Sequence, residues 1–164
     1  MGRESAWTLP EAMVALVILA LLGALAWRSG AEALALQSLQ TASQRVMDGL
    51  EDGRVAALRE GEPCGSRLGA SGWEPPLDSS LPPCRGVKTG LGSGINPENG
   101  DVRLVHNLPD PVRFTANGLV LDGGTVWIRS ARTRVARCVV VSLPLGITRL
   151  GREGPGGCEP ELTP

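Results

Sequence analysis

Hydrophobic and polar positions divide the chain into three regimes. From Ala12 to Trp27 it reads AMVALVILALLGALAW, without a charged residue. At 1.5 Å per residue this run makes about 24 Å of helix, short of a hydrocarbon core of about 30 Å. Started at Trp7 the helix reaches about 31 Å but takes in Glu11. A carboxylate inside lipid is expensive, which marks Glu11 as a functional residue. Pro10 fixes where the helix begins. It breaks a helix interior but is tolerated in the first turn, where the amides lack intrahelical partners. The second regime is amphipathic. Leu36, Leu39, Ala42, Val46, Leu50, Gly53 and Ala57 recur at three- and four-residue spacing, with Glu32, Gln40, Gln44, Asp48, Glu51 and Asp52 largely off that stripe. A helix is predicted from about Trp7 to Arg59, with bends at Gly23, Gly30, Gly49 and Gly53 and closure by Gly61 and Pro63.

The third regime is rich in turn residues. Residues 61–101 carry Pro75-Pro76, Pro82-Pro83 and Asn99-Gly100 and read mostly as loop. Short apolar runs then predict strands at Val102–His106, Val112–Thr115, Leu119–Leu121, Thr125–Ile128, Val135–Leu143 and Ile147–Leu150, with turns at Asn117-Gly118 and Gly123-Gly124. No internal repeat is apparent. The pattern predicts an α+β protein, with a long N-terminal helix packed on an antiparallel β-rich head.

Composition sharpens this picture. The 164 residues carry a net charge of −1, so nothing global marks a nucleic-acid binder or an enzyme of acidic substrates. Aromatics make up only 3 %, with no Tyr and one Phe, so the core of the head is modest. Cys64, Cys84, Cys138 and Cys158 form no C-x-x-C pair, which weakens zinc and redox-motif readings. An even count beside an export segment reads as two disulfides. Four cysteines allow three connectivities; Cys64–Cys84 with Cys138–Cys158 is the simplest local closure. Each such loop of roughly 20 residues contributes about 3 kcal/mol on the loop-entropy model.

The stretch Ala6-Trp7-Thr8-Leu9-Pro10-Glu11, followed at once by the apolar run, resembles the class III signal of type IV pilins and type II secretion pseudopilins. That pattern is Gly-Phe-Thr-Leu-x-Glu before a hydrophobic helix; Ala6 stands here for Gly and Trp7 for Phe. The resemblance implies cleavage by a prepilin peptidase between Ala6 and Trp7, methylation of the new Trp7 amine, and Glu11 at position five of the mature chain. It further implies that Glu11 pairs with that amine on a neighbouring subunit during assembly. Later segments are similar to the GspH/FimT group of minor pilins and pseudopilins. These are Gly53-Arg54-Val55-Ala56-Ala57, Val112-Arg113-Phe114-Thr115-Ala116-Asn117-Gly118, Cys138-Val139-Val140-Val141-Ser142 and Gly146-Ile147-Thr148. Domains then follow as a leader at 1–6, a membrane-embedded, filament-core helix at 7–27, an amphipathic helix at 28–60 and a β-rich head at 61–164. The implied partners are other pilins or pseudopilins, the prepilin peptidase and the inner membrane. The implied location is a single-pass protein with its head in the periplasm, low in abundance and near a filament tip. Two other readings of the N-terminus are a secretory signal peptide cut after Ala24-Leu25-Ala26 and a plain anchor. Neither accounts for the placement of Pro10 and Glu11.

A third function class comes from the arginines. Arg129, Arg132, Arg134, Arg137, Arg149 and Arg152 crowd the late strands, with no acid between positions 129 and 152. Such a patch can neutralise phosphates without reading sequence. Some FimT-like proteins are DNA receptors with a Gly-Arg-x-Arg motif; Gly146-Ile147-Thr148-Arg149 and Gly151-Arg152-Glu153-Gly154 are imperfect copies. That resemblance implies Arg149 and Arg152 as DNA contacts. Asn96, Glu98, Asn99 and Asp101 make an oxygen-rich turn whose ligands suit Ca²⁺, although turn chemistry alone accounts for it. With His106 the single histidine, no triad, metal site or cofactor is expected, and no nucleophile–base pair marks an enzyme.

Overall fold

The computed structural model describes residues 8–77, 80–91, 102–143 and 145–160, without the side chains of residues 25–29. Two units make up the chain, Met1–Leu34 and Ala35–Pro164. In the first, the Thr8 carbonyl accepts from the Glu11 and Ala12 amides at 3.0 and 3.1 Å, which opens helix α1 (Leu9–Glu60). Pro10 lies in the first turn, as its chemistry requires. Glu11 lies there too, where a carboxylate complements the positive end of the helix.

In the second unit the amphipathic stripe faces inward. Leu39, Ala42, Val46, Leu50 and Ala57 are all buried. Gly61, at φ +67°, ends α1 by donating its amide to the Ala57 carbonyl at 2.9 Å, a left-handed cap followed by Pro63. The helix runs without a break through Gly49 and Gly53. Both positions receive aromatic rings: a Cβ on Gly49 would stand 2.1 Å from the Trp73 indole, and one on Gly53 2.6 Å from the Phe114 ring. Trp73 Nε1 donates to the Val46 carbonyl at 3.2 Å, so this buried indole is satisfied by the same helix.

Two antiparallel sheets complete the unit. The smaller has the order β2-β1-β4, from β1 (Cys64–Gly69), β2 (Gly72–Glu74) and β4 (Val112–Phe114). The larger has the order β3-β5-β6-β7-β8, from β3 (Arg103–His106), β5 (Gly124–Arg129), β6 (Arg137–Ser142), β7 (Ile147–Gly154) and β8 (Gly157–Pro160). Several elements differ from expectation. Residues 61–101 hold the β1–β2 hairpin, because Cys64-Gly65-Ser66 pair with Phe114-Arg113-Val112 despite offering no apolar alternation. Leu119–Leu121 is reduced to one bridge, Phe114 to Val120. Gly123-Gly124 is not a turn; Gly124 opens β5 and pairs with Val141. Strand β7 runs four residues past Leu150 and turns into β8.

Register gives the larger sheet two distinct faces. Val126, Ile128, Val139 and Val141 are buried and join one core with the α1 stripe, Trp73, Phe114, Leu91 and Val102. Alternation puts Val105, Trp127, Val140, Ile147 and Arg149 on the other face.

Candidate functional site

The expected processing site, Ala6 and Trp7, lies outside the described residues. Glu11 is exposed at the start of α1. After it, every large apolar side chain from Met13 to Leu22 keeps 52–65 % of its surface exposed. Leu16, Val17, Ile18 and Leu19 follow one another at about 100° per residue, so the helix is apolar on all sides. Among the described residues no helix is long and apolar enough to cross a membrane.

In the head, two stretches distant in sequence meet. Gly53 leaves room for Phe114, and Arg54 Nε donates to the Gly118 carbonyl at 3.1 Å. Gly118 turns the chain at φ +70°, with its amide donating to the Thr115 carbonyl at 2.8 Å. Beyond this turn Asp122, 8 % exposed, accepts from the Arg113 amide at 2.9 Å, from Nε at 2.9 Å and from Nη2 at 2.7 Å. The hydrogen bond from Arg113 holds the Asp122 carboxyl below the usual carboxylate range, against the opposing effect of burial. Opposite charges flanking Asn117-Gly118 were a visible signal for this pair. A cavity of about 520 Å³ opens beside it, lined by Pro63, Leu81, Arg113, Phe114, Thr115 and Leu121 among others. Its lining is mostly apolar, and Asp122 already engages its arginine.

Both disulfides form in the local connectivity. Cys64–Cys84 ties β1 to the end of its loop, where the Gly65 amide also donates to the Pro82 carbonyl at 2.9 Å and the Cys84 amide to the Gly65 carbonyl at 3.1 Å. Cys138–Cys158 joins β6 to β8, two strands that are not neighbours, across β7.

The arginines do not converge. Arg149 stands opposite Val140, and Arg152 opposite Arg137. Three positions apart on one strand, Arg149 and Arg152 point to opposite faces of the sheet and form no single patch. Arg129 is held by Glu153 through two contacts. His106 pairs across from buried Val126, toward the core side. Asn96, Glu98, Asn99 and Asp101 lie outside the described residues, and among those described no group of acids, histidines and cysteines is placed to hold a metal. Trp73 is core, whereas Trp127 is half-buried on the outer sheet face.

No protein-family model, curated protein or solved structure matches the chain.

Proposed function

We propose that this chain is a filament subunit, a minor pilin or pseudopilin. It is cut between Ala6 and Trp7, methylated on the new amine, held in the inner membrane by α1 with its head in the periplasm, and built into a type IV pilus or type II secretion pseudopilus. The observation that carries this function is the first part of α1, apolar on every side and exposed from Met13 to Leu22, with Glu11 at its start. A surface of that kind calls for cover by lipid or by other helices. In either setting a carboxylate needs a cation, and a chain beginning at Trp7 supplies one as its terminal amine. The head adds support: Gly53-Arg54 and Phe114 to Gly118, two of the segments that resemble the GspH/FimT group, lock together there.

Mass spectrometry of the N-terminus of the mature protein tests this. The expected species begins at N-methylated Trp7 and co-purifies with a filament or its assembly platform. A chain beginning at Trp27, or one that keeps its first six residues, overturns the proposal.

A further inference from the structure

We infer that the outer face of the five-stranded sheet docks a helix of a different filament subunit, apolar along its centre and acidic along one flank. This rests on the filament function proposed above and names the chemistry of one partner. A sheet has two faces, and here the core and α1 take one of them, through Val126, Ile128, Val139 and Val141. On the opposite face the register builds an oblique apolar strip. Val105 stands beside Trp127 on the neighbouring strand, Val140 lies two residues further along on β6, and Ile147 two further again on β7. Val105 and Ile147 keep 38 % and 50 % of their surface in solvent, and Trp127 and Val140 are half-buried between them. The strip crosses three strand spacings, about 14 Å, and advances about 14 Å along the strands, so it runs for about 20 Å. A helix of about 13 residues covers that length.

The two flanks of the strip differ in charge. Arg103, Arg129 and Arg149 all lie on one side of it, and uncharged Thr125 and Ser142 on the other. Glu153 holds Arg129. Arg103 and Arg149 are exposed, and among the described residues neither has an acidic partner. A helix seated on the strip therefore meets cations along one edge only, and its own acids belong on that edge. Nucleic acid fits less well. Three of the four strip side chains are aliphatic and the one ring, Trp127, is half-buried, which leaves no run of stacking platforms. The helix of a second copy also fits less well, because Glu51 is already held by Arg54 and Leu58 already packs on Gly118 of its own chain. A minor subunit borders other chains in its filament, and one of those supplies the helix.

The test uses the full chain, produced in its own host, with a photo-crosslinking amino acid in place of exposed Ile147. The expected product joins it to a different chain that also begins with an apolar helix. Its crosslinked peptide carries apolar residues at three- and four-residue spacing, with Asp or Glu on one flank. Arg149→Glu and Arg103→Glu should each cut the yield at least fivefold, since like charges then oppose, and Arg149→Lys should keep it. Both arginines are exposed, so the melting temperature of each variant should match wild type. Changing the mapped acid of the partner to Lys should restore the yield with Arg149→Glu. Crosslinks found only on nucleic acid, on lipid or on a second copy of this chain overturn the inference, as does a product indifferent to both charge reversals. A chain that begins at N-methylated Trp7 but gives no such product overturns the docking face alone. One that keeps residues 1–6 overturns the filament function itself, whatever its crosslinks.

Discussion

Gly151 lies directly beneath the sulfur of Cys158: a Cβ built on it would stand 3.0 Å from Cys158 Sγ and 2.2 Å from the Glu159 carbonyl oxygen. The disulfide from Cys138 to Cys158 crosses β7 at that point, so a side chain on β7 would obstruct it. Gly151→Ala is therefore expected to destabilise the head by about 1–3 kcal/mol, the range for overpacking. The contact is partly with backbone, which cannot rotate away. Gly156→Ala, with nothing within 4 Å, is the control and should melt like wild type. Thermal melts of the two variants decide this; equal melting temperatures would show that β7 and β8 have room to separate.

The same bond sets a second expectation. Cys138→Ser opens a loop with a sequence separation of 20 and should cost about 3 kcal/mol. Reduction of wild type opens both loops and should cost more. A melting temperature unchanged under reducing conditions would mean that neither staple contributes to the head.

Gly49 and Gly30 make an informative pair. Both are helical glycines, and from sequence both are weak points. Gly49→Ala should nevertheless destabilise, because its Cβ would enter the Trp73 indole. Gly30→Ala meets nothing within 4 Å and should be neutral, or stabilising by up to about 1 kcal/mol through helix propensity. Urea titrations of both variants give the sign in each case. Destabilisation of equal size in the two would argue for a hinge at both glycines instead of a ring seat at one.

These glycines show where the sequence is legible and where it is not. The stripe of Leu39, Ala42, Val46 and Leu50 announces itself by period, and its burial follows. Gly61 and Pro63 end the helix by purely local chemistry, which a sequence displays. The role of Gly49 depends on Trp73, 24 positions away, and that of Gly151 on a bond between two other strands; neither has a local signature. Strand β1, Cys64–Gly69, is opaque for a related reason: its Gly and Ser have weak strand preference, and pairing with β4 imposes the conformation. Arg149 and Arg152 looked like one patch in a linear reading, but the two-residue period of a strand separates them once both fall on β7.

Acid should weaken the head through Asp122. Its carboxyl titrates below the ordinary range because Arg113 hydrogen-bonds the charged form. A depressed folded-state value means that the stabilisation is present above the unfolded carboxylate value, about 3.9, and is lost as pH falls through the lowered one. Glu153, lowered in the same direction by Arg129, adds a slope of the same sign. Asp122→Asn should therefore flatten, without abolishing, the loss of stability between about pH 5 and pH 2. Urea midpoints across that range measure it. An unchanged slope in the variant would assign the acid sensitivity to other groups.

Glu11 admits two physical roles whose sizes differ enough to separate them. As a carboxylate in the first turn it complements the helix dipole, worth about 0.3–1 kcal/mol. As the partner of a terminal amine buried between helices, its removal leaves that amine unpaired, at about 3–5 kcal/mol. Glu11→Ala and Glu11→Gln should both leave processing and helix content close to wild type. If the amine is the partner, incorporation into a filament should fall on the order of a hundredfold or more, since each 1.4 kcal/mol is a factor of ten. A dipole role alone would change incorporation about fivefold at most. Quantitative blots of sheared filaments against membranes, normalised to processed chain, distinguish these outcomes. Incorporation within fivefold of wild type in both variants would leave Glu11 as a helix-start residue and remove the amine from the assembly contact.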